Sequence, residues 1–164
     1  MKLKMPLSEA KDKVLEYMRL GYHCGPSVLK VMWEAYGMKN KDFLWGGTVF
    51  QGGIAGQQDA PCGAVSGAAL ALGIKYRHST KDKDKAEKAR KAANEDAAEY
   101  VKSFREKFGS ITCIGLLGYD FSDKAAAQKA KELGFLEKKC FKQVQFAIEK
   151  LYEIEEKHNR SAGK

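Results

Sequence analysis

The stretch from Lys81 to Phe108 most constrains what this chain can fold into. Ala86, Ala89, Ala93, Ala97, Tyr100, Val101, Phe104 and Phe108 recur at helical spacing along it. Its opposite face is rich in Lys and Glu and reads as solvated surface. Gly109 supplies the stop. A single long amphipathic helix must bury its stripe on other elements, so its neighbours decide the class of fold.

Those neighbours are helical too. Ser8 is placed to cap a helix running to about Leu20, with Val14, Leu15, Tyr17 and Met18 on its apolar side and Gly21 after it. A second helix starts near Gly25-Pro26, where proline suits the first turn, and buries Val28, Leu29, Val31, Met32, Trp33 and Tyr36 before Gly37. A third runs from about Cys62 to Leu72 and is built from small residues. Ser122 or Asp123 caps a helix through Leu133. The last starts near Cys140, with a stripe of Phe141, Val144, Ala147, Ile148, Leu151 and Ile154. The expectation is a mainly α fold: one domain over 1–164, a helical bundle with a long glycine-rich loop around a cysteine site, and a frayed tail at 159–164.

Met38 to Pro61 reads as a long loop. Phe43 to Phe50 has strand-like content, but its glycines argue against a regular sheet. Gly52, Gly53 and Gly56 point to backbone brought close to something, and the loop reads as closing over a site. In the third helix Gly63 and Gly67 lie one turn apart on one face. Each costs about 1 kcal/mol relative to alanine inside a helix. Close packing of a second helix and close approach of a cofactor explain them equally. Gly53, Gly63 and Gly67 are therefore the candidate cofactor-binding glycines.

Composition narrows the function classes. With 44% hydrophobic and 30% charged residues the chain is globular. No run approaches the roughly 20 apolar residues of a membrane span, so no membrane insertion is expected. The lysines near Met1 are followed by no apolar stretch, so a secretory signal is not expected and a cytoplasmic location is. The net charge of +8 sits largely in lysine clusters at 81–91 and 138–142, with scarce arginine and no interleaved aromatics. That is a solvated surface rather than a nucleic-acid groove, and no nucleic-acid partner is expected.

The chemistry lies with four cysteines, Cys24, Cys62, Cys113 and Cys140. Their spacing is neither a CxxC pair nor a compact zinc-finger or ferredoxin pattern. Their context says more, because Cys24, Cys62 and Cys140 stand at expected helix starts and Cys113 precedes an apolar segment that could form a helical turn. Unpaired N–H groups and the positive end of the helix dipole favour thiolate there. Four such thiolates suit an iron–sulfur cluster or a tetrahedral metal, and two pairs suit reversible disulfides. Four separate buried cysteines acting as small hydrophobes are the bland alternative.

Several strings resemble one known family. They are His23-Cys24-Gly25-Pro26-Ser27-Val28-Leu29 with Tyr36-Gly37, Gly52-Gly53-Ile54-Ala55-Gly56, Pro61-Cys62-Gly63-Ala64-Val65-Ser66-Gly67-Ala68, Leu70-Ala71-Leu72-Gly73, Cys113 to Asp120, and Cys140. Over about residues 12–152 the chain resembles the redox-active proteins named for their C_GCAxxG_C_C pattern. It departs at Pro61, where the family name implies glycine, and at His23, where a small polar residue is expected. The resemblance implies a helical domain with a redox role. The family is also similar to an iron–sulfur domain of split-Soret cytochromes, which makes Cys24, Cys62, Cys113 and Cys140 candidate ligands. No CxxCH is present, so covalent haem is not expected.

Of the histidines, His23 adjoins the site and could ligate, shuttle a proton, favour the Cys24 thiolate or simply occupy a turn. His78 and His158 read as surface. The glycine string 52–56 lacks the Lys-Ser/Thr of a P-loop. The functional expectation is an electron-transfer protein with an iron–sulfur cluster and a redox partner protein. A metal-free thiol–disulfide protein and a module with structural zinc are the alternatives. Phe43, Trp45 and Phe50 fit a homodimer contact or the core.

Overall fold

The computed structural model describes residues 3–77 and 81–162, so His78 lies outside the described residues. It contains α1 (Leu7–Arg19), α2 (Cys24–Ala35), α3 (Asp42–Trp45), α4 (Gly63–Lys75), α5 (Lys83–Phe108), α6 (Cys113–Leu117), α7 (Lys124–Glu132) and α8 (Phe141–Ala162). A π-helical turn, Leu136–Cys140, runs directly into α8. Among the described residues there is no strand, only the isolated bridges Ile54–Gln57 and Pro61–Thr112. The fold is mainly α, as the periodicities require.

Boundaries follow local chemistry. Asp82 accepts from the Lys85 N–H at 3.1 Å and starts α5. Gly109, at φ +78°, ends it in the left-handed conformation that glycine adopts without strain. Asp123, not Ser122, caps α7 through the N–H groups of Ala125 and Ala126. α1 differs from expectation: Pro6 occupies the cap position and Ser8 lies inside the first turn. Proline suits that place because the first helical N–H groups have no partner within the helix. α8 continues to Ala162, past Asn159. The strand-like run at 43–50 becomes α3 followed by turns. Trp45 is 77% exposed, Phe43 is exposed and Phe50 is half-buried.

α4 is the hub, packed on α2, α5 and α8, while α1 lies on α2 and α8. Val28, Leu29, Val31 and Met32 of α2 meet Ala64, Ala68 and Leu72 of α4, with Tyr100 and Phe104 of α5 and Val144, Ile148 and Leu151 of α8 completing the core. Each large apolar side chain buried there contributes about 1.5–3 kcal/mol. α2 and α4 approach closely because neither has a side chain at the contact. A Cβ on Gly67 would lie 2.5 Å from the Gly25 carbonyl oxygen and 3.1 Å from its Cα. The Tyr100 hydroxyl donates to the Ala64 carbonyl at 3.0 Å, so its burial is satisfied.

At the far end of α4 charges are buried rather than excluded. Lys75 Nζ lies 3.1 Å from Asp96 Oδ2 and 3.4 Å from Glu155 Oε1. The Tyr76 hydroxyl donates to Asp96 at 2.5 Å, and His158 Nε2 lies 2.9 Å from the same oxygen. The Lys75 and Glu155 side chains are only 6% and 1% exposed. Burial pushes the Asp96 carboxyl up, but the Tyr76, His158 and Lys75 contacts outweigh it and hold the group below its ordinary value. His158 is thus a member of this network rather than a residue of a frayed surface tail. No helix among the described residues is long and apolar enough to cross a membrane.

Candidate functional site

The opposite end of the bundle gathers all four cysteines around one cavity of about 420 Å³. Cys24 is the first residue of α2, Cys62 is the N-cap of α4, and Cys113 is the first residue of α6. Two backbone contacts fix the last two together. The Cys62 N–H donates to the Ile111 carbonyl at 2.7 Å, and the Cys113 N–H donates to the Ala60 carbonyl at 3.2 Å, on either side of the Pro61–Thr112 bridge. The Thr112 hydroxyl then caps α6 through the Gly115 N–H at 3.2 Å.

The last helix begins beside Cys140, at Phe141, but Cys140 ends a π turn, Leu136–Cys140, that already runs into α8. A π turn re-aims side chains within an otherwise continuous helix and often marks a functional position. The adjoining Lys139 holds this turn to α6. Its ammonium donates to the Leu117 carbonyl at 2.6 Å and lies 4.7 Å from the centre of the Phe135 ring.

Cys62 and Cys113 are buried; Cys24 and Cys140 are half-buried and unbridged, as are the other two. Their acidities diverge. The Cys24 thiol is lowered to about 6, chiefly by its hydrogen bond with the Cys62 thiol, and further by the N–H groups of Gly52, Gly25 and Gly63, against the cost of burial. Cys62 is pushed well up by the same bond to Cys24, by burial and by the Cys24 charge. Burial and the charge of Cys24 raise Cys113 to about 11. The same two causes, with Cys113 added, raise Cys140 to about 12. Cys24 is thus the most acidic of the four.

Gly63 makes this possible. A Cβ there would lie 2.3 Å from Cys24 Sγ and 2.5 Å from the Phe50 carbonyl oxygen, so the sulfur sits where a side chain would be. The other two candidate glycines lie elsewhere. The absent side chain of Gly67 faces the backbone of Gly25, and that of Gly53 faces the Gln57 carbonyl at 2.0 Å within its own turn. Gly52 and Gly56, not Gly53, line the cavity.

His23 stands exposed at the mouth with φ +62° and ψ 176°. Glycine alone adopts that region readily, and strain of this kind concentrates at functional sites. Met18, Leu117, Phe121 and Leu136 make the remaining wall apolar. Of the two buried glutamines nearby, Gln143 lines the cavity and Gln58 does not. Gln58 donates to the Tyr119 carbonyl at 2.9 Å and accepts from the Phe121 N–H at 2.5 Å. Gln143 accepts from the Cys62 thiol at 3.7 Å. Neither glutamine stands out in the sequence, though Gln143 lies one helical turn beyond Cys140 and so shares its face.

The donor set decides what could be held. Among the described residues no three His, Cys, Asp or Glu side chains are grouped to hold a single metal ion. The thiols instead surround a space more than ten times the roughly 30 Å³ share of one water. Four soft sulfurs around such a space fit a group of several atoms better than one tetrahedral ion, which needs its sulfurs about 2.3 Å from a common centre.

A sequence model of the family described as "Putative redox-active protein (C_GCAxxG_C_C)" matches residues 22–154, most of the chain and all four cysteines. No curated protein and no solved structure matches it.

Proposed function

This chain belongs to the C_GCAxxG_C_C family of redox-active proteins, and from that premise we propose that it is an electron-transfer protein holding an iron–sulfur cluster on Cys24, Cys62, Cys113 and Cys140. The observation that carries the reading is the meeting of four unpaired thiols, from four separate chain segments, on one cavity too large for a single ion. The bound cluster would store and release one electron at a time.

The chain's own residues do the rest. Gly63 leaves room for the Cys24 sulfur, and the N–H groups of Gly25, Gly52 and Gly63 offset its negative charge. Met18 and Leu117 give the wall a buried apolar part, the exposed Phe121 and Leu136 extend it to solvent, and His23 marks the side open to solvent and to a redox partner protein. The test is an anaerobic visible spectrum with parallel iron, sulfide and zinc analysis. Sulfur-to-iron charge-transfer absorption with matching iron and sulfide supports the reading. A colourless, iron-free protein after anaerobic reconstitution overturns it, and stoichiometric zinc would replace it with a structural module.

One further reading has its own support. Cys24 and Cys62 line one cavity as unbridged thiols and lower and raise each other's acidity, with Cys24 the more acidic. Such a pair can lose two protons and two electrons to an oxidised partner dithiol and close a disulfide. A reversible loss of two free thiols in metal-free protein would favour this chemistry.

A further inference from the structure

The Cys62 thiol donates to Oε1 of Gln143 at 3.7 Å. Gln143 is 4% exposed and lines the cavity from the first turn of α8. In the thiol form it acts as an acceptor. A cluster-bound or disulfide sulfur at Cys62 carries no proton, and Oε1 would then face another acceptor. A glutamine amide carries its donors on the adjacent nitrogen, so rotation about the last side-chain bond restores a hydrogen bond with its direction reversed.

The two buried glutamines differ in this respect. The amide of Gln58 is fixed at both ends, by the Tyr119 carbonyl and the Phe121 N–H. Among the described residues the one side-chain hydrogen bond of Gln143 is that from Cys62. Gln58 is built to hold a loop, and Gln143 is left able to turn.

We propose that Gln143 is a positioning residue that reads the state of Cys62 and sets the potential of the redox centre. This rests on the reading that Cys62 supplies one of the centre's sulfurs. As a donor to a cluster sulfur, the amide stabilises the more negative, reduced state and raises the potential. As an acceptor from the Cys62 thiol, it stabilises the reduced state of a dithiol and raises that potential too. The direction is therefore the same in both chemistries.

The test compares wild type with Gln143→Met, which keeps length and volume but neither donates nor accepts as an amide does. Gln143→Glu and Gln143→Leu guard against a variant that fails to fold. Iron and sulfide content, the midpoint of whichever centre the wild type carries, and thermal unfolding are measured on each. The expected result is an unchanged cofactor content and a lower midpoint in Gln143→Met. The shift is about tenfold in the reduced-to-oxidised ratio, or ~59 mV for one electron and ~30 mV for two. Gln143→Glu should lower a cluster's midpoint further by adding a charge beside the sulfur, whereas in a dithiol its carboxylate still accepts from the Cys62 thiol and should keep the midpoint at or above the wild-type value. An unchanged midpoint in folded Gln143→Met or Gln143→Leu overturns the proposal. Wild type lacking iron overturns the cluster reading instead, and the dithiol midpoint then decides for Gln143. A wild type with no measurable couple overturns both.

Discussion

α4 carries a polar site at each end, and the two are built on opposite plans. At its N-terminus polarity is supplied by backbone: N–H groups of Gly25, Gly52 and Gly63 turned toward the Cys24 sulfur beside an open cavity. At its C-terminus polarity is supplied by side chains, with Lys75, Asp96, Glu155, Tyr76 and His158 closed on one another. The helix has 13 residues, so about 20 Å separates the two. The closed end pairs its charges with one another. The open end leaves thiols unbridged and tolerates backbone strain at His23. One end locks the bundle and the other is free to do chemistry.

The sharpest challenge to that contrast is Lys75→Met. It strands two buried carboxylates and should cost about 3–5 kcal/mol in urea unfolding, while the acidity of Cys24 stays as it was. Equal disturbance of both ends would show that they are not separate. The same end has a pH signature. Asp96 is held below its ordinary 3.8, so its stabilisation is present above about pH 4 and fades as the pH falls through the folded value. Asp96→Asn should remove that part of the acid dependence.

Alkylation of chelator-treated protein probes the open end. The rate at Cys24 should rise with pH through about 6 and then level off, because thiolate is the reactive form. Cys113, at about 11, should lag at pH 7 by about a hundredfold, the gap in thiolate fraction being partly offset by the weaker nucleophilicity of the more acidic thiol. Comparable rates at the two sites would show that Cys24 is not the more acidic thiol.

Gly63→Ala should be milder in stability, about 1–3 kcal/mol, but should displace the Cys24 sulfur and abolish its early alkylation. The smallest expected effect is His23→Gly. Relief of the strained φ should stabilise by about 1 kcal/mol in the absence of bound cofactor. A loss of stability would mean that the imidazole makes contacts that outweigh the strain.

Much of the open end was legible in the chain. Helical periodicity and capping residues placed Cys24, Cys62 and Cys113 at helix starts, and the small residues of α4 announced a close approach at Gly63 and Gly67. The start of the last helix beside Cys140 was legible, but the π turn Leu136–Cys140 that leads into it was not, because a π turn has no periodicity of its own. The run at 43–50 was ambiguous because apolar residues and glycines suit several turn-rich conformations. The closed end was hidden for a different reason. Asp96 lies on the helix whose Lys/Glu face looked solvated, and His158 read as surface. Only tertiary contact between α4, α5 and α8 reveals that these charges are paired. Gln58 and Gln143 were invisible for the same reason, since a polar side chain carries no mark of its burial.

The Pro61–Thr112 bridge bears on how chains of this kind can vary. It fastens together the two backbone segments that deliver Cys62 and Cys113, so everything between is an excursion that leaves and returns at one point. The separation of those cysteines along the chain is then set by the packing of α4 and α5 and the length of their connection rather than by the clamp. Insertions or deletions between α4 and α5 could accumulate without moving either sulfur, whereas a single residue gained or lost beside Pro61 or Thr112 would slip the clamp. Length is free to drift in the middle of the chain and pinned at its two ends, which is why a spacing rule is a poor guide to this site.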